Sequence, residues 1–583
     1  MSYKTCYAQR LNNNDYLIHL WTDEGYHKYN WSYYAYEECS EDESDSNIRG
    51  LKHETLKKVR NWHKDNPKLH FHDMKPYQRF LIDRFRDNDE PSTSHKEIFF
   101  DIEIEMGGAL TKEYIESAPK PVTSIAWWYK QEDIWEILLL DPKQEIESYK
   151  QNNIRIHSFK SESELLLFFL ERLRKIQPNI LIGYNSDYFD IPYLYFRMCK
   201  IFDKEVASML SPINRIINES EYSDHRWITI AGIESLDYMK LHKKYSWKDE
   251  PSYSLDYVGK KYVKMGKIKY DGSLDRLFKE NKTKFIEYNF RDVEIIKKLD
   301  EKFQYISITK NLAHKGKINY SDVYKSSLIH DGAISSYLLN QNIIPPSRDR
   351  NPITKENYAG GFLFCPKAGI YKYMFDEDLT SLYPAIIMSL NIGKETYVGR
   401  ILIDDEKVLV GKAIVKGKKT DKYIYNCRYG LSDLKQMDPD RILTIQNSKR
   451  KNSQITVRDL IDVIHKNKLT ISANGVMYRT NFDSVFKTIL NLWFNERVLY
   501  KNKMKAAYKA GNKEEGEKYH LLQYTIKILL NSLYGATSLS SFRYGNVIMS
   551  ESITLSGQRI IQESATFINK HINKVIKNQI QLT

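Results

Sequence analysis

Cysteine is scarce in this chain. There are five in 583 residues, at Cys6, Cys39, Cys199, Cys365 and Cys427, and no two form a Cys-x-x-Cys pair. That scatter argues against a zinc ribbon and a disulfide framework, and it fits a reducing compartment. No apolar run approaches the roughly 20 residues needed to span a bilayer, so no membrane partner is expected. The opening Met-Ser-Tyr-Lys-Thr-Cys lacks the apolar segment of a secretory signal. The sequence also lacks internal repeats and extended low-complexity tracts, which excludes a repeat array.

What the chain has is length, apolar content and positive charge. At about 100–200 residues per domain it should fold as roughly three to five domains, and 42% hydrophobic residues supply several cores. Net charge is +13 and the pI is near 9.0. That balance favours a polyanionic partner such as nucleic acid over an acidic small molecule.

Residues 1 to about 95 mix short strand-like pieces, such as Tyr16 to Leu20, with an acidic loop from Ser40 to Asp45 that is expected to lie in solvent. From about 96 to 315, strands and helices interleave. Glu97 to Glu103, Val122 to Trp128 and Asn179 to Tyr184 read as buried strands, and Glu162 to Gln177 as an amphipathic helix, which together imply an α/β sheet. Tyr358 to Asp378 reads as extended. Helical spacing dominates from Phe486 to about Lys509 and from Glu514 to Tyr534, with Ala510-Gly511-Asn512 as the turn between.

Asp101 and Glu103 stand at i and i+2, so on one strand they project to the same face. Two carboxylates on a rigid strand suit a hard divalent cation. The bland alternative is a pair of exposed edge-strand charges, but Phe99, Phe100 and Ile102 alongside make that setting costly without a partner. Asp190 follows a buried strand in Asn185-Ser186-Asp187-Tyr188-Phe189-Asp190, and Asp292 lies in the helix-like Tyr288-Asn289-Phe290-Arg291-Asp292. This set resembles, in order and internal spacing, the three 3′–5′ exonuclease motifs of family B DNA polymerases. The resemblance implies two Mg²⁺ ions held by Asp101, Glu103, Asp190 and Asp292, clamping the oxygens of an in-line phosphodiester hydrolysis. It also implies a water-orienting role for Tyr288 and leaves Asp187 outside the site.

Two further segments extend the resemblance. Asp378-Leu379-Thr380-Ser381-Leu382-Tyr383-Pro384 and Lys527-Ile528-Leu529-Leu530-Asn531-Ser532-Leu533-Tyr534-Gly535 are similar to the first and second polymerase signatures of the family, in the layout of its T-even-phage branch. The resemblance implies that Asp378 holds both metal ions of the polymerase site. Leu379, Ser381, Leu382 and Tyr383 line the incoming nucleotide, with Tyr383 beneath the deoxyribose to exclude a 2′-hydroxyl. Lys527, Asn531 and Tyr534, at i, i+4 and i+7, form one helical stripe, and Gly535 allows close backbone approach. Lys527 and Asn531 are expected at the dNTP, as are Arg497 and Lys501 on the preceding helix. Tyr534 and Gly535 are expected at DNA, as are Tyr358, Gly360 and Gly361.

The expected architecture is a multidomain α/β protein. An N-terminal mixed domain takes residues 1–95 and 316–350, and an RNase H-like exonuclease domain takes 96–315. A partial palm with an antiparallel sheet spans 351–483 and 540–583, around helical-hairpin fingers at 484–539. The third signature, Tyr-Gly-Asp-Thr-Asp with a second metal-binding carboxylate, does not occur before Thr583, and the thumb is missing too. Asp378 alone cannot anchor two ions. The expected partners are therefore primer-template DNA, dNTP and a C-terminal polypeptide that supplies this carboxylate and the thumb, with a sliding clamp engaged through that second polypeptide. A stand-alone exonuclease and a non-catalytic primer-template platform are the alternatives. If phage-encoded, the chain should work in the host cytoplasm.

Overall fold

A computed structural model of the chain describes residues 1–44, 48–219, 227–246, 249–350, 352, 360–362, 369–370, 378–379, 381–403, 407–415 and 418–580, with backbone alone for 407–415, 418–425 and 576–580. The extended stretch expected from Tyr358 to Asp378 falls largely outside the described residues. The chain divides into two compact units. The first comprises residues 1–34, 60–62 and 74–325, and the second comprises 35–59, 63–73 and 326–583. No helix among the described residues is long and apolar enough to cross a membrane.

The first unit is built on a seven-stranded mixed sheet. Its strands are β1 (Glu97–Ile104), β2 (Val122–Tyr129), β3 (Ile134–Leu140), β4 (Tyr149–Gln151), β5 (Ile154–Phe159), β6 (Ile180–Gly183) and β7 (Glu234–Asp237), in spatial order β4-β5-β3-β2-β1-β6-β7. The β1–β2, β2–β3 and β4–β5 pairs are antiparallel, while β3–β5, β1–β6 and β6–β7 are parallel. Every residue of β2 is buried, as expected of a strand covered on both faces. Helix α1 (Glu162–Ile176) starts on a Ser161/Glu164 capping box and buries Leu165, Leu166, Phe169, Leu170 and Leu173 in the sheet's main core. Helix α2 (Asp190–Ile201) follows β6, and α3 (Lys282–Phe303) packs on β1 and β2. Because β1 has β2 on one side and β6 on the other, Asp101 and Glu103 sit on an interior strand rather than an edge.

In the second unit, helix α4 (Leu382–Leu390) precedes a five-stranded antiparallel sheet. The strands are β8 (Tyr397–Leu402), β9 (Ile442–Asn447), β10 (Asn452–Thr456), β11 (Leu469–Ile471) and β12 (Val476–Arg479), in the order β10-β9-β8-β12-β11. The helix Val457–Lys466 lays Val457, Leu460 and Ile464 onto this sheet with Leu443 and Met477. Helices α5 (Val485–Lys509) and α6 (Lys513–Thr537) pack along one another. Gly511, at φ 78°, makes the turn, and the Asn512 side chain caps α6. The last helix, α7, runs from Val547 to Ile580. Asn546 caps it by accepting from the Met549 amide at 3.0 Å. Its first half is buried and ties to β12 through Tyr478 donating to Ser552 Oγ at 2.9 Å.

As expected, Glu41, Asp42 and Glu43 of the acidic run lie in solvent, on a short 3-10 turn where Glu41 pairs with Arg49 at 3.1 Å and Glu43 with Lys57 at 3.3 Å, while Asp45 falls outside the described residues.

Candidate active site

Strand alternation leaves Ile102 and Ile104 in the core and turns Asp101 and Glu103 to the opposite face, where α3 lies. Asp292 comes from that helix, one turn beyond Tyr288. Ligand oxygens of Asp101, Glu103 and Asp292 all lie within 4.8 Å of one another. Asp190 stands beside this trio. It is the first residue of α2 rather than a strand-end residue, and its Oδ1 accepts from the Ile102 amide at 3.1 Å.

Gathering carboxylates out of water raises their proton affinity. Burial, then Asp292, Glu103 and Asp190, hold Asp101 well above the usual carboxylate range. Burial and Asp292 push Glu103 up to about 8, and burial pushes Asp190 to about 7. Asp292 is raised by burial and pulled back by Lys267. Asp292 Oδ1 is buried and has no hydrogen-bond partner. A buried carboxylate oxygen without a donor, inside a cluster of acids, fits a hard divalent cation. Asp101, Glu103 and Asp292, with Asp190 adjacent, are the residues that could hold it.

Two residues of the centre were not foreseen. Lys267 donates to Asp292 Oδ2 at 2.6 Å and to the Tyr288 hydroxyl at 3.1 Å. Burial works against its ammonium, but Asp292, Tyr288, Asp101 and Glu103 together hold its pKa above the usual lysine range. Asn289 donates to Asp101 Oδ2 at 2.8 Å and accepts from Ser124 Oγ at 2.8 Å, which fixes the first carboxylate from behind. Asn289 could have been found from its place three residues before Asp292, on the same helical face. Lys267 could not, since Lys264, Lys267 and Lys269 look alike in sequence. Asp187, left out of the site, is engaged elsewhere, accepting from Ser235 Oγ at 2.6 Å and Lys240 Nζ at 2.7 Å.

In the second unit, Asp378 and Leu379 are exposed, and Ser381 takes a left-handed φ of 55° just before α4. Leu382 and Tyr383 open that helix. The Tyr383 ring lies 4.5 Å from the Tyr534 ring, tilted by 40°. Two glycines leave room around it: a Cβ on Gly361 would stand 3.2 Å from the Tyr383 hydroxyl, and one on Gly557 would stand 3.0 Å from the ring. Gln558 Nε2 donates to the Gly360 carbonyl at 2.6 Å. Tyr358 lies outside the described residues. On the paired helices, Arg497, Lys501, Lys505 and Lys527 form a cationic cluster. Lys501 is lowered first by Arg497, then by burial, Lys505 and Lys527. Arg497 Nε is buried without a partner. Lys527, Asn531 and Tyr534 follow one partly exposed stripe of α6, and Gly535 beyond them faces open space.

Residues 43–258 match the family model described as DNA polymerase family B, exonuclease domain, and residues 326–583 match the one described as DNA polymerase family B. These two matches define the class: chains that carry family B DNA polymerase and exonuclease domains. Within that class, the chain belongs to family B. It is 31% identical over 431 residues to the DNA-directed DNA polymerase of Escherichia phage RB69, covering 72% of this chain and 46% of that protein. With the DNA-directed DNA polymerase of Enterobacteria phage T4 it shares 29% over 434 residues, covering 72% and 46%. With DNA polymerase 1 of Sulfolobus acidocaldarius it shares 25% over 491 residues, covering 79% and 46%. The chain spans about half the length of these relatives.

Proposed function

We propose that the chain is a DNA-directed DNA polymerase component with a 3′–5′ proofreading exonuclease. The observation that carries the exonuclease half is the trio of Asp101, Glu103 and Asp292 within 4.8 Å, one of its buried oxygens unpartnered. Asp101, Glu103, Asp190 and Asp292 bind Mg²⁺, which when bound neutralises the phosphate and lowers the pKa of a water. The chain supplies the rest. Tyr288 orients the attacking water through its hydroxyl, Lys267 fixes that hydroxyl and counters charge on the phosphodiester, and Asn289 keeps Asp101 in place. The seven-stranded sheet with α3 across it is the RNase H-like scaffold of this reading.

For synthesis, Asp378 holds metal at the dNTP, and Tyr383, backed by the Tyr534 ring, rejects a 2′-hydroxyl. Arg497, Lys501, Lys527 and Asn531 receive the triphosphate and base on the α5–α6 fingers. Tyr358, Gly360, Gly361, Tyr534 and Gly535 meet primer-template DNA. The five-stranded sheet and α7 form the palm. A second carboxylate and the thumb come from polypeptide beyond these residues, on a continuation or a separate chain, and the sliding clamp engages there. Exposed apolar side chains on the second half of α7, Phe567 at 71% and Val575 at 43%, support a covering segment. So does the apolar groove between Leu382, Leu390, Leu431, Ile471 and Ile560.

The test is digestion of single-stranded 3′ ends by this chain with Mg²⁺, compared with Asp101→Ala plus Glu103→Ala. Loss of digestion in the double variant, with DNA binding retained, is expected; undiminished digestion sinks the reading. Primer extension should require added polypeptide bearing the third signature, and vigorous extension by residues 1–583 alone contradicts the metal argument.

A further inference from the structure

Asp101 and Glu103 are placed by an interior strand and Asp292 by the body of a helix, but Asp190 opens α2 at the end of the turn 184–189. Where Asp190 stands is therefore set by whatever fixes that turn.

The turn is tied at its end, its middle and its start. At the end, Asp190 Oδ1 accepts from the Ile102 amide at 3.1 Å. In the middle, Asp187 accepts from Ser235 Oγ at 2.6 Å and from Lys240 Nζ at 2.7 Å. At the start, the Asn185 amide donates to Asp237 Oδ1 at 3.0 Å, a contact between residues 52 apart in the chain. Asn185 takes a left-handed φ of 64°, and its carbonyl accepts from the Tyr188 and Phe189 amides at 3.1 Å each. The Ser186 carbonyl then accepts from the Ile191 amide at 3.1 Å, inside α2. The turn has little slack, because a Cβ on Gly183 would stand 2.5 Å from the Ser186 Cβ. The residue that Asp237 grips is thus wound by consecutive hydrogen bonds into the helix that Asp190 opens.

Asp237 also has a blander task. It is the N-cap of the helix Tyr238–Tyr245, accepting from the Met239 and Lys240 amides at 3.0 and 3.4 Å. A cap needs one oxygen and no charge, so Ser or Asn serves as well. Here a carboxylate is fully buried and its Oδ2 has no hydrogen-bond partner, which is costly for capping alone. Oδ1 carries the two capping amides and the Asn185 amide together, and the added one belongs to the turn. The backbone behind this carboxylate is fixed as well. Asp237 is in register with Gly183 across β6 and β7, its amide donates to the Tyr324 hydroxyl at 3.1 Å, and that hydroxyl donates to its carbonyl at 3.2 Å.

We propose that Asp237 is a positioning residue of the exonuclease centre, its carboxylate fixing through Asn185 the turn that sets Asp190 beside Asp101, Glu103 and Asp292. The inference rests on the exonuclease reading and adds to it a residue that touches neither metal nor strand.

The test compares the whole chain with two variants. Asp237→Ser keeps a helix cap, but its shorter side chain cannot also reach Asn185. Asp237→Asn keeps the Oδ1 acceptor and loses the charge. In EDTA, amide hydrogen exchange over residues 185–191 should quicken about tenfold in Asp237→Ser and stay within about twofold of wild type in Asp237→Asn. In digestion of a single-stranded 3′ end, the Mg²⁺ concentration for half-maximal rate should rise about tenfold in Asp237→Ser. KM for the strand should not change, and Asp237→Asn should restore the wild-type Mg²⁺ dependence. Loss of a cap alone would lower the melting temperature and leave the Mg²⁺ dependence where it was. Wild-type exchange and wild-type Mg²⁺ dependence in Asp237→Ser overturn the proposal. So does Asp237→Asn behaving like Asp237→Ser, which would assign the effect to charge. If Asp237→Ser does not fold, Asp237→Asn decides, since raised Mg²⁺ demand or quickened exchange in it overturns the proposal and wild-type values support it. The exonuclease reading falls on a different result, undiminished digestion by Asp101→Ala plus Glu103→Ala, whereas exchange in EDTA reads the turn without catalysis.

Discussion

Lys267 Nζ lies 2.6 Å from Asp292 Oδ2, so the acid cluster carries its own internal cation. The same ammonium reaches the Tyr288 hydroxyl and sits 5.1 Å from that ring's centroid, coupling the carboxylate and the phenol. Lys267→Met should leave Asp292 with less counter-charge and Tyr288 free to rotate. The expected outcome is a loss of about 10²-fold in exonuclease kcat, the scale seen when one positioned donor is removed. Steady-state digestion of a single-stranded 3′ end measures it. Wild-type kcat in the variant would show the lysine to be structural only.

The raised carboxylates make a pH prediction whose sign can be worked out. A carboxyl whose folded pKa exceeds its unfolded value of about 4 binds more protons when folded, so it gives up stability as pH rises from about 4 towards the folded value. For Glu103 and Asp190 that window ends near 8 and 7. The buried histidines act oppositely. Burial depresses His95 to about 2 and His314 to about 3, so each loses stability as pH falls below the unfolded value of about 6.5. Comparing wild type with Glu103→Gln in EDTA isolates the acid. The variant should melt progressively higher than wild type between pH 5 and 8. Mn²⁺ should raise the wild-type melting temperature more at pH 8 than at pH 5.5, because ligands must be deprotonated to bind. Parallel melting curves for the two proteins across that range would remove the coupling.

Much of this site could be read from sequence because its parts obey short-range rules. The i, i+2 placement of Asp101 and Glu103 needs only strand alternation, and Tyr288 with Asp292 needs only a helical turn. The α5–α6 turn at Gly511 was legible for the same reason. What escaped depends on long-range approach. Lys267 reaches Asp292 across 25 residues, and Asn289 reaches Asp101 across 188. Asp190 was expected at a strand end, but the Asn185 to Phe189 connection is long enough to carry it to the start of α2.

Arg543 offers a test of how the second unit coheres. Its guanidinium is fully buried, donating to Asp331 Oδ1 at 2.7 Å, Asp73 Oδ1 at 2.5 Å and the Pro346 carbonyl at 2.7 Å. It joins the 63–73 segment to the body of residues 326–583. Arg543→Met leaves Asp331 and Asp73 with Arg348 as their remaining partner, and breaking such a buried pair costs about 3–5 kcal/mol. Denaturant unfolding should show the loss in one transition, and Arg543→Met combined with Asp331→Leu should recover part of it. No recovery would mean that packing, not charge, sets the cost.

The cluster of Arg497, Lys501, Lys505 and Lys527 is a set of like charges that repel one another, Arg497 being the first cause of the lowered Lys501. A triphosphate relieves that repulsion, so its binding should weaken both as cations are removed from the cluster and as salt screens it. Arg497→Ala and Lys501→Ala should each weaken dNTP binding by about tenfold, at roughly 1.4 kcal/mol apiece. The double variant should lose less than the product of the two, because removing either cation already relaxes the other. Titration of the chain with dNTP and Mg²⁺ at two ionic strengths reads both effects. Multiplicative losses with no dependence on salt would place the triphosphate away from this helix pair, and the fingers assignment for α5 and α6 would fall with it.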